Sequence, residues 1–494
     1  MTPPDIPFKR QVIVMTFVAL TQLVQMCQFG SGIDVGLSIA ESFGVPPESA
    51  PWVAASYPLT QGAFLLTGGR LGAIYGHKNI LFVGALLWVA FNIGTGFAPS
   101  FIALCILRAM SGIGGGIMMP NCIALLGITF PPGRMRNLSM ALFVSCGPVG
   151  AAGGGLLGGI VAQLASWEWM FWFFAILGGI VFTVAYLAVP HDDRQDPNGK
   201  LDFVGSYLGI GALFLFNFVW NRAPAVGWDT PYVYVLLIVS LLHAAAFAIW
   251  EAKYASEPLV PITVWTRPSF TPLLLCVGLI MMSMGVFLWY LTIWQISVRH
   301  FTIIAAGASL VPLLITGMVM SVVAGWIIGH LGARLIVAGG LMFVLVGLIL
   351  IGTMPEQQIY WKQAFIGSLI QGCGPDFVLA VGQVITANSV KRHEQGVAGS
   401  LIAVIQVYAL STGLGFASTV EAYTNDGGRN PVKGYRGAIF LAVGFTVLAM
   451  AINLIWVRMP AQTQEGWTEE DLKRDDPVRT LKPEPSAELK PAQV

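Results

Sequence analysis

Apolar residues in this chain are laid down in long blocks rather than at the short periods of half-buried helices or strands. Runs of mostly apolar residues begin near positions 11, 51, 80, 101, 138, 170, 203, 230, 270, 302, 334, 360, 396 and 437. A helix that crosses the hydrocarbon core needs about 20 such residues. The pattern therefore predicts about fourteen membrane-spanning helices. A count of twelve is the alternative, with the seventh and eighth runs the weakest. An even count returns both termini to the same side.

Composition supports a fold in lipid. Hydrophobic residues make up 55% of the chain and charged residues 10%, against roughly 25% charged in soluble domains. So few charges could not hydrate the surface of a soluble protein of 494 residues. The 57 glycines suit helices that approach closely without a hydrophobic force between them. A net charge of +1 argues against a nucleic-acid partner, whose phosphates need many neutralising cations. Cys27, Cys105, Cys122, Cys146, Cys276 and Cys373 all fall in apolar stretches without CxxC or Cys/His spacing. They read as small buried hydrophobes, and no metal site is expected.

Charge placement orients the spans. Connections from odd to even runs carry Arg222, Arg299, Lys362, Arg429, Lys433 and Arg436, whereas most other Lys and Arg lie on the opposite connections and the tails. That bias places both termini in the cytoplasm, in the cell membrane or alternatively a vacuolar membrane. The expected organisation is a tail over 1–10, six spans over 11–190, a linker with two extra spans over 191–255, six spans over 256–457, and a disordered tail over 458–494. The first apolar run, after Lys9 and Arg10, lacks a small-residue cleavage site and is not expected to be a signal peptide.

The chain also repeats itself. Gly69-Arg70-Leu71-Gly72-Ala73-Ile74-Tyr75-Gly76-His77-Lys78 follows the second run, and Gly325-Trp326-Ile327-Ile328-Gly329-His330-Leu331-Gly332-Ala333-Arg334 follows the tenth. Both read Gly-x-aliphatic-x-small-x-x-Gly-x-basic on the cytoplasmic side. Two related six-helix bundles around a central cavity, able to rock between access states, are the simplest architecture.

At these loops the sequence resembles the major facilitator superfamily, whose signature there is Gly-x-Leu-x-Asp-Arg-x-Gly-Arg-Lys. Gly69, Leu71, Gly76 and Lys78 match, while Ala73 and Gly329 stand where the family has its latching acid. The departure implies that gating rests on other contacts. Arg108-Ala-Met-Ser-Gly112-Ile-Gly114 is similar to the family's Arg-x-x-x-Gly-x-Gly motif. Gly147-Pro148-Val-Gly150, followed by Gly153, Gly154 and Gly155, resembles its antiporter motif; helix packing is the alternative role. Asp202-Phe-Val-Gly205, Trp250-Glu251, Pro258-Leu-Val-Pro261 and Arg267-Pro-Ser-Phe270 look like the fourteen-helix drug:proton antiporter branch. Trp52 to Lys78, Gly374-Pro375-Asp376-Phe377 and Gln395 through Glu421 look like fungal members of the aminotriazole-resistance, ammonium and boron exporter types. The resemblance implies an all-helical fold, a small-molecule substrate, no cofactor beyond a proton gradient, and a monomer in the bilayer.

Ionisable groups in lipid are costly, roughly 2.5–3.5 kcal/mol even on lenient insertion scales, so each requires a reason. Asp376 lies mid-way along the twelfth run, Asp34 at the outer end of the first, and Arg108 within the fourth. These are the candidates for proton coupling, with Arg108 organising the site because it does not deprotonate. Pro120-Asn121 and Pro375-Asp376 recur near the repeat offset, so Asn121 and Asp376 are expected to face each other across the cavity. Gln25, with Gln22 and Gln28, and Gln371 and Gln406, with Gln383, either line the cavity or bond neighbouring helices. His243, the Trp167-Glu168-Trp169 set and the Met281–Met284 run read as packing or belt residues.

Three functions remain open at this point. Proton-driven export of a toxic compound or secondary metabolite leads. Low-affinity passage of ammonium or borate and a transporter-like sensor are the alternatives, the sensor disfavoured by short tails. No phosphate loop, nucleophile elbow, HExxH or carboxylate pair marks an enzyme.

Overall fold

The computed structural model describes residues 7–130, 134–192, 194, 196–260, 265, 269–327, 331–389 and 395–457. The expected tail over 458–494, and Gly329 of the second glycine loop, lie outside the described residues. Among them the chain is helical throughout. The helices are α1 (Phe8–Asp34), α2 (Gly36–Ser42), α3 (Pro51–Tyr75), α4 (His77–Thr95), α5 (Phe101–Thr129), α6 (Arg134–Leu164), α7 (Trp167–Ala188), α8 (Phe203–Val226), α9 (Pro231–Lys253), α10 (Phe270–Ile293), α11 (Ile303–Ala308), α12 (Val311–Ile327), α13 (Ala333–Gly352), α14 (Gln363–Ser389), α15 (Gln395–Thr424) and α16 (Pro431–Trp456).

A long helix thus occupies each of the fourteen apolar stretches, and twelve of those among the described residues are long and apolar enough to cross a membrane. The other two, α3 and α14, also carry polar residues inside the helix packing. Ser56, Thr60, Gln61 and Thr67 of α3 and Ser368 and Gln371 of α14 are buried. Both helices are screened by neighbours: α3 packs on α5, α8 and α15, and α14 on α10, α12, α13 and α15. A helix shielded from lipid does not need an apolar circumference, provided its polar groups find partners inside. At the other extreme, only 11% of the apolar window of α9 is buried, so its circumference faces outward.

Helix ends follow local chemistry. Ser100, Asp202 and Asn430 cap α5, α8 and α16 by accepting from Ala103, Gly205 and Lys433 N–H groups at 3.2, 2.9 and 3.1 Å. The cap of α4 comes from a distance. Asp192, after α7, accepts from the His77 and Lys78 N–H groups at 2.6 and 3.1 Å, where the helix dipole favours an anion. Gly76 precedes it at φ 95°, a backbone conformation that a side chain would strain. Asp192→Ala should cost about 1–2 kcal/mol, the usual loss for a helix cap, read as a lower unfolding midpoint of the detergent-solubilised protein.

The packing is duplicated. In the first half α3 lies on α5, α4 on α5, α1 on α6 and α7, and α4 on α7; in the second, α12 lies on α14, α13 on α14, α10 on α15 and α16, and α13 on α16. The two sets meet along α3 with α15, and along α6 with α12. The duplication reaches single residues. Gly112 of α5 sits against Tyr57 and Thr60 of α3, as Gly372 of α14 sits against Leu313 and Thr316 of α12; Gly84 meets Gly114 as Gly340 meets Gly374. This corrects the expected equivalence of Asn121 and Asp376. Relative to the α3–α12 and α4–α13 pairs, the α5–α14 pair is displaced by four further residues, about one helical turn. Asp376 is the counterpart of Gly116, and Gly317, which it touches, is the counterpart of Gln61.

Candidate functional site

Three helices of the first half and two of the second converge where the halves meet. Asp34, the last residue of α1, is buried. Its Oδ1 accepts from the Thr292 hydroxyl of α10 at 3.3 Å, while Oδ2 has no hydrogen-bond partner among the described residues. Gly155 of α6 and Gly307 of α11 leave the room that this carboxylate fills. The acid is therefore enclosed by both halves at once.

Arg108 projects from α5 and is fully buried. Its guanidinium lies over the Phe171 ring, 5.5 Å from the centroid, and against Gly32 of α1, yet Nε and both terminal nitrogens lack hydrogen-bond partners among the described residues. No ion pair joins it to Asp34 in this arrangement. Beside it, Gln28 of α1 donates to Asn92 Oδ1 at 2.6 Å and to Ser111 Oγ at 3.3 Å. Gln25 Oε1 accepts from Gln61 Nε2 at 3.5 Å, and its own Nε2 is buried without a partner. Polar residues of α1 thus reach α3, α4 and α5 inside one half.

Other predicted residues fall elsewhere. Asp376 is half-buried within the second half, against Gly317 and hydrogen-bonded to Ser321 of α12. Asn121 does not meet it. The Asn121 amide donates to the Gly68 and Ile117 carbonyls at 3.0 and 2.6 Å, and its Oδ1 is 2.7 Å from His77 Nδ1. It ties α5 to the ends of α3 and α4. Gln371 is buried against Gly347 of α13, and Gln406 is half-buried on α15. The Gln383 side chain lies outside the described residues. His243 Nδ1 is 2.9 Å from the Val239 carbonyl, one turn back in the same helix.

The glycine motifs occupy packing positions. Gly150 and Gly154 of α6 abut the α1 backbone at Leu23 and Cys27, and Gly147 is open toward Gln22 beside Pro148. Gly69 rests on Pro120. Gly325 lies in α12, and Gly332 and Arg334 open α13, where the Arg334 carbonyl accepts from Asn453 at 3.0 Å. Lys78 donates to the Val189 carbonyl at 2.7 Å and lies over Tyr186. At the loop whose acid is replaced by Ala73, charge arrives from distant segments. Arg70 pairs with Asp196 at 2.9 Å and with Glu257, which lies beyond α9.

Two features escaped the sequence reading. The Tyr290 hydroxyl of α10 donates to Glu421 of α15 at 2.6 Å; two residues on separate helices give no local signal. The second is a small apolar crevice between the halves, of about 10 Å³ and so roomy enough for about one water, lined by Phe29, Ile33, Ala54, Trp289, Leu410 and Leu414, with Ser411 as a polar wall residue.

A duplicated six-helix packing is the arrangement of a two-bundle carrier, and a sequence profile described as Major Facilitator Superfamily matches residues 18–361. The chain belongs to that superfamily. This major facilitator is a multi-pass membrane transporter and not an enzyme. It is 32% identical over 443 residues to the low affinity ammonium transporter of Saccharomyces cerevisiae, covering 87% of this chain and 85% of the relative. It is 32% identical over 468 residues to an efflux pump of Aspergillus terreus, covering 91% and 87%. The peptide transporter POT in complex with sulfate superposes with a TM-score of 0.67 at 16% identity, over 92% of this chain and 96% of that one, a likeness of fold alone.

Proposed function

We propose that this major facilitator exports a small, largely apolar organic compound against its gradient, using inward proton flow, through fourteen membrane spans with both termini cytoplasmic. The observation that carries the coupling is Asp34: a titratable group enclosed between α1 and α6 of one half and α10 and α11 of the other. A proton gained or lost there changes the charge at the contact that must break and re-form as two six-helix halves rock. Arg108, buried nearby against Phe171 and Gly32, is the cation whose charge tunes the site. Asp376, within one half, is a second and lesser coupling candidate. Organic cargo is favoured by the relatives named efflux pumps and is compatible with the apolar walls where the halves meet, whose lining offers one hydroxyl. The alternative, passage of ammonium or borate, rests on the resemblance to fungal ammonium and boron exporter types and, for ammonium alone, on the name of one relative at 32% identity.

Accumulation of a compound panel that includes ammonium and borate, in cells lacking their own exporters, decides between these readings. Lower retention of an organic compound than in vector controls, lost on adding an uncoupler, is the expected result. Movement of ammonium or borate alone, indifferent to the uncoupler, would overturn export in favour of facilitated passage.

A further inference from the structure

The two extra helices are attached to the seam by a buried polar cluster. Asn217 of α8 donates to the Thr412 hydroxyl of α15 at 2.8 Å, and the Asn221 amide reaches Asn217 Oδ1 at 2.7 Å. All these groups are almost wholly buried, as is Ser411 beside them. The Ser411 hydroxyl has one proton and two acceptors in reach: the Ala55 carbonyl of α3 at 3.0 Å, and Asn217 Oδ1 at 2.9 Å. The first acceptor belongs to the opposite half. The second belongs to a helix that packs along α15 and is bonded to it also through Tyr408, whose hydroxyl donates to the Leu213 carbonyl at 2.6 Å.

We propose that Asn217 is a positioning residue for transport: it keeps Ser411 paired when α3 and α15 part. With the seam closed, the hydroxyl donates across it to Ala55. When the halves separate, that carbonyl leaves with α3, and an unpaired hydroxyl in this surrounding would oppose the motion. Asn217 Oδ1 travels with α15 and takes the proton over. The inserted helix pair thereby removes a barrier to opening. The inference rests on the two halves parting along this seam, the motion assumed in the proposed transport cycle.

The test uses the full-length protein with its six cysteines replaced and Ala54→Cys as reporter, labelled by a membrane-impermeant maleimide as the seam opens. Ala54 is buried in the crevice wall beside the cluster. Asn217→Leu, which fills the space without an acceptor, should slow labelling about tenfold, the scale of one buried hydrogen bond left unmade. Ser411→Ala alone should leave it within about twofold, since both states lose one bond. In the Ser411→Ala background, Asn217→Leu should have no further effect. An equal slowing with and without Ser411, or no slowing at all, would overturn the proposal. A parent that labels readily while Asn217→Leu has no effect sinks this inference alone. A parent that is never labelled removes the parting seam as well. Should Asn217→Leu fail to reach the membrane, Asn217→Ala carries the same comparison.

Discussion

Asp34→Asn is expected to abolish uncoupler-sensitive export, with net extrusion of the transported compound falling at least about tenfold, or about 1.4 kcal/mol of driving or activation free energy. The substitution is nearly isosteric. Asn keeps an oxygen to accept from Thr292 and fits between Gly155 and Gly307, so the packing of α1 against α6, α10 and α11 should persist. What it removes is proton exchange at the contact shared by the two halves. Binding of substrate should survive, and passive exchange down a gradient should continue at a measurable rate. Efflux into media of different pH separates the two behaviours: the parent responds to external pH, and Asp34→Asn does not. A variant that still builds a gradient with unchanged proton dependence would remove Asp34 from the mechanism and leave Asp376 to be tested. Asp376→Asn should have the smaller effect, because the Asp376 contacts, Gly317 and Ser321, belong to its own half.

Gly154→Leu is expected to reduce protein in the membrane to below about a tenth of the parent level. A side chain at 154 would enter the backbone of α1 at Cys27. Gly30 makes the reciprocal approach, meeting the Ala151 carbonyl of α6. Small residues on both helices allow this contact, and in lipid such packing supplies much of the association energy. Overpacking typically costs 1–3 kcal/mol where neighbours can yield, and more where the obstacle is backbone. Gly153→Ala, one residue away and facing open space, should accumulate normally. Membrane-fraction immunoblots and unfolding midpoints in detergent measure the contrast.

The fold was largely legible because lipid imposes a length on each apolar block, and every predicted run carries a long helix. Even α3, whose buried Ser56, Thr60, Gln61 and Thr67 make it one of the more polar helices, lies where the runs predict it. The site was less legible, for reasons of register and distance. The glycine loops align at one offset, but the α5–α14 pair is displaced by a further turn, so matching Pro-Asn to Pro-Asp placed Asn121 opposite a residue it never meets. The latch acid missing at Ala73 was visible as an absence. That acids at 196 and 257 instead engage Arg70 was not, since those contacts join segments far apart in the chain. Asp34 was recognisable as an acid in an apolar block; its position between two halves was not.

The duplicated packing also makes the outer wall of the molecule unequal. Of the two lines where the halves meet, the α3–α15 line is covered by α8, whereas no other long helix lies over the α6–α12 line among the described residues. Apolar compounds concentrate in the bilayer rather than in water. For such a compound, arriving sideways from the leaflet, the carrier has one uncovered flank and one closed, so the twofold similarity of its halves does not extend to the directions from which cargo can approach.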